Sequence, residues 1–405
     1  MNRFSKIFSL PPAASFLLPA ACCLLSAGLF AQSDSSKTNQ DAIYNRPFIT
    51  LGKTATAVGG YVEGNTNYFS EDGMSEGFSM ELRRFNIFLY SGIHERIKFI
   101  SELEFEHGAE EISLETALID FEINPALNFR GGIILPQIGL VNANHDSPKW
   151  EFVERPLSST EIIPSTLSEI GFGVHGKFFS GSTFFSYDAY LVNGLRDNVI
   201  LNDKGKTLLA SGKSAEMFGE DNNGVPMYNG KISFSNRNIG EFGLSYYGGI
   251  YNTYRMEGID VDEKRKLSVF AFDLSTDIKK LKIQGEYALV NIDVPDNLSE
   301  TYGKKQYGGF VDFIYPVLKR KILKFDNSTV NVNLRLERTD YNVGVFQTTA
   351  ANIGDEVSAI AGGISFRPTQ GTVIRANYRY HWIYDRFGNA PVRSAGFQLG
   401  VASYF

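Results

Sequence analysis

The chain is 405 residues long, 43% hydrophobic and 13% aromatic, with a formal charge of −6 at pH 7, a balance that gives nucleic acid no basic surface to bind. Its two cysteines, Cys22 and Cys23, both lie in a segment expected to be removed, so the mature chain would hold no disulfide, no thiolate metal site and no cysteine nucleophile. After residue 31 no run approaches the roughly 18 consecutive apolar residues that a membrane helix requires, and the aromatic content with 39 glycines points to an all-β protein.

Residues 1–31 read as a signal peptide. Arg3 and Lys6 precede an apolar stretch from Ala13 to Ala31 that Pro19 interrupts, and the polar run Gln32-Ser33-Asp34-Ser35-Ser36-Lys37 follows at once. The apolar core is too short and too broken for a membrane anchor, and cleavage is expected after Ala31. Lipid attachment at a cysteine is the rival, but Pro19-Ala20-Ala21 lacks the leucine-led box that such processing uses. Loss of the segment takes the formal charge from −6 to −8, because it holds Arg3 and Lys6 and no acid. Residues 32–54 are polar and aperiodic, with Asn45-Arg46-Pro47 as irregular chain, and read as a periplasmic lead-in without a domain of its own.

From residue 55 to 405 the sequence falls into segments with period-two alternation, which puts successive side chains on opposite faces of a sheet. Sixteen strands are expected, near 57–69, 78–91, 95–107, 113–124, 128–140, 169–179, 183–194, 227–236, 241–253, 267–276, 281–292, 306–316, 328–341, 355–367, 372–384 and 394–405. In the clearest, Ile374, Ala376, Tyr378, Tyr380, Trp382 and Tyr384 share one face while Arg375, Asn377, Arg379 and His381 share the other. Val330, Val332, Leu334 and Leu336 stand likewise against Asn331, Asn333, Arg335 and Glu337. Alternation alone fits a soluble sandwich as well as a membrane barrel; the connections decide. Those after even-numbered strands are mostly tight, as at Gly92–His94, Pro125–Leu127 and Pro368–Gly371, with 316–327 the one longer case, whereas those after odd-numbered strands are mostly long, as at 141–168, 195–226 and 254–266. Short periplasmic turns and long external loops are the pattern of a transmembrane antiparallel β-barrel in the bacterial outer membrane, and an even strand number agrees. The last strand is amphipathic and ends in Phe405, the kind of terminus that the outer-membrane assembly machinery reads.

The run Glu81-Leu82-Arg83-Arg84-Phe85-Asn86-Ile87, the turn Asn124-Pro125-Ala126-Leu127, the segment Phe152-Val153-Glu154-Arg155-Pro156-Leu157, then Ile170-Gly171-Phe172-Gly173-Val174-His175-Gly176 and Tyr190-Leu191-Val192-Asn193-Gly194 resemble the phosphate-selective porin O and P family. The resemblance covers about residues 57–195 in specific features. It implies a sixteen-stranded, homotrimeric porin whose third external loop, here 141–168 with Lys149 and Arg155, folds into the lumen as a constriction and whose basic side chains draw anions through. Family members often carry a lysine near the end of the fifth strand, where this chain reads Gly131-Gly132-Ile133-Ile134-Leu135-Pro136-Gln137; this departure bears on phosphate selectivity.

Assigning the polar faces to the lumen gives an anion pathway of Arg84, Lys98, Arg130, Lys177, Lys282, Arg335, Arg375 and Arg379, a file of cations that would lower the entry barrier for anions. The same faces carry Glu63, Glu102, Glu104, Glu106, Asp120, Glu122, Glu286 and Glu337, so pairing across strands is the competing reading, and the acidic file from Glu102 to Glu106 would favour cations. Arg83 aligns with the lipid-facing Phe85 and Ile87, where a charge costs roughly 2–4 kcal/mol at the midplane, and is placed at the rim or beside a bulge. His94, His107, His145, His175 and His381 show no metal-type spacing, and Gly59-Gly60, Gly248-Gly249 and Gly308-Gly309 lie within strands rather than in a phosphate-cradling loop. The expectation is a non-enzymatic pore for small hydrophilic solutes, phosphate-like anions among them, with the lipid bilayer as its surroundings and no cofactor. The alternatives are a surface receptor or adhesin that binds through the long loops, or an outer-membrane hydrolase built on His145 or His381.

Overall fold

The structure, a computed structural model, describes residues 38–50 and 55–405; the expected signal peptide lies outside the described residues. Eighteen strands follow in chain order: β1 (Thr56–Glu71), β2 (Met74–His94), β3 (Ile97–Glu106), β4 (Glu111–Asn124), β5 (Leu127–Ile134), β6 (Glu169–Ser180), β7 (Thr183–Val192), β8 (Met227–Asn236), β9 (Gly240–Ile250), a small hairpin β10 (Arg255–Met256) and β11 (Ile259–Asp260), then β12 (Lys266–Ile278), β13 (Leu281–Ile292), β14 (Lys305–Ile322), β15 (Phe325–Asp340), β16 (Glu356–Thr369), β17 (Thr372–Ile383) and β18 (Val392–Tyr404). All but β10 and β11 form one closed antiparallel barrel of sixteen strands, each paired with its sequence neighbours and β18 with β1. Closure satisfies both edges of every strand, which is what a sheet needs to sit in hydrocarbon.

The alternation read from the sequence sorts to the two sides of this wall. Ile374 is 46% exposed and Leu399 57%, both on the outside, whereas Arg335 and Arg375 are each 1% exposed and point inward. A soluble sandwich would show the reverse, so the apolar outer belt marks a bilayer-spanning barrel.

Three local differences from the sequence reading have physical causes. The expected longer connection at 316–327 is a tight turn: β14 runs on to Ile322 and the chain reverses at Leu323 and Lys324, with φ of 49° and 72°. Pro316, which suggested a break, is absorbed at a register shift between Pro316 and Leu318, a bulge in which the missing N–H leaves no gap in the ladder. The fifth strand stops at Ile134 rather than 140, because the chain leaves the wall ahead of Pro136 and turns inward. Two further bulges re-aim side chains. Arg83 is the extra residue of β2 opposite the Glu63/Gly64 step, and Glu115 is the extra residue of β4 opposite Glu102/Leu103. Period-two counting would send each to the lipid; the bulge turns both inward.

Candidate functional site

A sixteen-strand barrel is wide enough for an aqueous channel, and here two pieces of chain occupy much of that bore. The first is the loop between β5 and β6. Its apolar side chains Ile138, Ile162, Ile163 and Leu167 are buried against Val192, Tyr247, Val269, Ala271, Ala288 and Val290 of the wall, so part of the inner face on β7–β13 is an apolar packing surface rather than a wet one. Its polar side is stitched to the rest of the wall. Glu286 accepts the Leu140 N–H at 2.7 Å, the Val141 N–H at 3.3 Å and the Ser159 hydroxyl at 2.7 Å. Glu337 accepts the Leu157 N–H at 2.6 Å, and Asn377 Oδ1 accepts the Val153 N–H at 2.9 Å. Arg83, turned in by its bulge, grips Glu154 with two bonds of 2.7 and 2.6 Å.

The second piece is residues 38–50, which the sequence presented only as a lead-in. The segment begins with a 3-10 turn, Asn39–Asp41, ends in the one-turn helix Pro47–Thr50, and lies inside the barrel at the short-turn, periplasmic end. Asn39 donates to Glu241 at 3.1 Å and to the Gly139 carbonyl at 3.2 Å; Gln40 donates to Asp188 at 2.9 Å. Asp41 pairs with Lys177, and Tyr44 donates to Asp120. Arg46 is the anchor. Fully buried, it donates to Glu102 at 2.7 Å and to Asp146 at 2.9 and 3.0 Å, and its guanidinium stacks 3.6 Å above the Phe88 ring. The segment therefore bridges the wall and the inner loop, and the Lys149 ammonium, which donates to the Ala42 carbonyl at 3.1 Å, adds a second bridge.

The basic residues assigned to the lumen all line the inside of the barrel, and most are engaged. Arg84 sits 3.1 Å from Glu63 and 2.8 Å from Glu106; Lys98 pairs with Glu122; Arg130 holds Asp120 at 2.9 and 2.7 Å. Lys177 pairs with Asp41. Arg335 clamps Asp312 at 2.6 and 2.8 Å and donates to the Glu154 carbonyl at 2.8 Å; Arg375 reaches Glu63 at 2.9 Å and the Phe152 carbonyl at 2.7 Å; Arg379 reaches Glu337 at 3.3 Å. On the loop, Lys149 pairs with Asp146 at 3.1 Å, while Arg155 hydrogen-bonds Thr166 at 3.2 Å and has no ion-pair partner among the described residues. Lys282 likewise has none among the described residues. With Lys149, Glu241 and Gln284 it lines a cavity of about 970 Å³ at the periplasmic mouth. The inner face is thus a mesh of charge pairs that fixes the loop and the segment, and of the ten cations assigned from the sequence Lys282 and Arg155 stand outside it.

The sequence reading missed Arg46, Glu115 and Asp146. Arg46 lies in aperiodic chain, Asp146 in a loop, and Glu115 on the wrong parity until its bulge is known; only the abundance of unassigned acids on the facing strands hinted that more cations had to come in. Among the described residues neither His145 nor His381 hydrogen-bonds a serine. His145 instead faces Glu115 and Glu102.

The chain is 26% identical over 393 residues to an uncharacterised protein of Aquifex aeolicus, spanning 86% of this chain and 83% of that one. No protein-family model matches it. Among solved structures it is similar to an anion-selective porin from Comamonas acidovorans, at a TM-score of 0.56 and 12% identity over 86% of this chain and 99% of that chain. It is also similar to OmpF of Salmonella typhi in complex with daunomycin, at 0.53 and 9% over 87% and 98%, and to OprB of Pseudomonas putida, at 0.51 and 9% over 87% and 94%. These likenesses show that the chain shares the barrel fold of those proteins.

Proposed function

We propose that the protein is an outer-membrane porin, a non-enzymatic pore for passive diffusion of small hydrophilic solutes, working as a homotrimer. The observation that carries this reading is the closed barrel with a charged inner face and a long loop folded across its bore, an arrangement that narrows a channel without sealing it with lipid-like side chains throughout. The solvent-reachable cavity at the periplasmic mouth supports it, since it leaves the inner end of the bore open to solutes.

Inorganic anions such as phosphate are the proposed cargo. The arginines of the inner face are committed to carboxylates, so the anion path runs past the cations that are not: Lys282 at the periplasmic mouth and Arg155 on the loop, with Lys149 near the first. Long-range attraction by Lys282 and Arg155 raises local anion concentration even without direct chelation. Reconstitution in planar bilayers with a salt gradient tests both levels. Stepwise conductance with a reversal potential of anion sign is expected; absence of conductance refutes the pore, and a cation-signed potential refutes the cargo. Lys282→Glu should shift the reversal potential toward cations while leaving the barrel folded.

A further inference from the structure

His145 sits on the inner loop, fully buried where that loop meets β3 and β4. Its Nδ1 lies 3.1 Å from the Asn142 carbonyl oxygen, and a carbonyl can only accept, so Nδ1 donates there and the second nitrogen, Nε2, is left to face whatever cation, metal ion or proton, occupies the space before it. Nε2 faces oxygen on two sides: Glu115 Oε2 at 2.9 Å and Glu102 Oε1 at 3.4 Å. All three atoms lie within 4.8 Å of one another, the one grouping of three or more such ligands among the described residues. Three electron-rich atoms converging in a buried site repel unless a cation stands between them.

The geometry suits a metal ion. With ligand bonds of about 2.0–2.2 Å, neighbouring ligands on a tetrahedral or octahedral ion stand roughly 2.9–3.5 Å apart, which brackets both contacts of Nε2. Glu115 Oε2, buried and aimed at the same point, accepts no hydrogen bond among the described residues even with Nε2 so near. The surroundings orient the ligands as supporting partners of a metal site do: Asn142 fixes the imidazole, while Asn86 at 2.7 Å and Arg46 at 2.7 Å fix the two oxygens of Glu102. Glu115 is there because the β4 bulge turned it inward.

We propose that Glu102, Glu115 and His145 form a binding site for a divalent transition metal of the zinc class, held by one imidazole nitrogen and two carboxylate oxygens. Two carboxylates and a neutral imidazole balance the charge of such an ion. The site ties the inner loop to the barrel wall, so its role is to set how firmly the constriction is held. A proton on Nε2, making an imidazolium paired with both carboxylates, is the competing occupant.

The test uses the full mature chain refolded in detergent with and without zinc, so that entry into the buried site is not limiting, followed by desalting and metal analysis. One zinc per chain is expected, with a higher unfolding temperature that a chelator present during refolding abolishes. Cobalt(II) in place of zinc should show d–d absorption, and since the mature chain lacks cysteine that signal cannot come from thiolates. Glu115→Gln, which keeps the shape and removes a charge, should lower zinc affinity at least tenfold; Glu122→Gln, outside the cluster, should leave it unchanged. A refolded wild-type barrel that retains no zinc, or a Glu115→Gln barrel that binds it as tightly as wild type, overturns the proposal and leaves the proton as the occupant.

Discussion

Replacing Arg46 with alanine should release the segment that fills the periplasmic mouth. The guanidinium joins Glu102 of the wall to Asp146 of the inner loop, bonded to each at 2.7 to 3.0 Å and stacked on Phe88. Removing one partner of a buried ion pair costs about 3–5 kcal/mol, because the carboxylates left behind stay buried and uncompensated. The other polar contacts of the docked segment, Asp41–Lys177, Tyr44–Asp120, the Lys149 bond to the Ala42 carbonyl and the hydrogen bonds of Asn39 and Gln40, are partly exposed and individually contribute less. At 1.4 kcal/mol per factor of ten, the undocked population rises roughly a hundredfold to a few thousandfold. Ala42 is 3% exposed in the docked segment, and with Cys22 and Cys23 replaced by serine an Ala42→Cys change reports undocking through its rate of maleimide labelling. That rate should rise by the same ratio in the Arg46→Ala background, with larger single-channel conductance steps. Adding Glu102→Gln and Asp146→Asn, which removes the stranded charges, should recover part of the loss. Labelling within threefold of the parent would refute the assignment of Arg46 as anchor.

Glu286→Ala removes the acceptor of three loop hydrogen bonds, each worth about 1.5–3 kcal/mol when the acceptor is charged, and should give a noisier, wider channel without unfolding the barrel, read by current fluctuations. Leu334→Arg on the outer belt should destabilise the barrel by roughly 2–4 kcal/mol in lipid denaturant titrations, and the loss should shrink if the same change is made near an interface. Gly73, at φ +86° in the β1–β2 turn, should cost about 1–2 kcal/mol when replaced by valine, because a β-branched residue resists the left-handed region; heat-modifiable gel mobility checks it.

The wall of the barrel was legible in the sequence because period-two alternation and loop-length parity are local properties: every expected strand is present, and the two that were bounded poorly flank prolines, Pro316 being given power to end a strand that a bulge lets continue to Ile322 and Pro136 being read through although the strand ends ahead of it at Ile134. The placement of Lys282, Arg335 and Arg375 on the inner face follows from the same counting. Their partners do not. Whether Arg375 meets an anion in transit or the carboxylate of Glu63, 312 residues away in sequence, depends on chain folded across the bore. Arg83 and Glu115 show the limit most plainly, since a single extra residue in one strand inverts the side on which a side chain emerges; the charge of Arg83 on a lipid-facing parity did point to a rim or a bulge, and the bulge is what the structure has, whereas the one that turns Glu115 inward was not read.

Residues 38–49 also impose an order on assembly. The segment precedes β1 and is made first, yet its partners Glu102, Asp146, Asp188 and Glu241 come from four separate regions that meet only when the wall has curled and the inner loop has been laid across it. Its seat does not exist until the wall has formed from β3 through β9 and the inner loop has been laid against it. The leading end of the barrel therefore finds its place only after more than half of the wall behind it, and a chain stalled before β9 would trail it free in the periplasm, where a protease would tell such an unfinished barrel from a finished one by that tail alone.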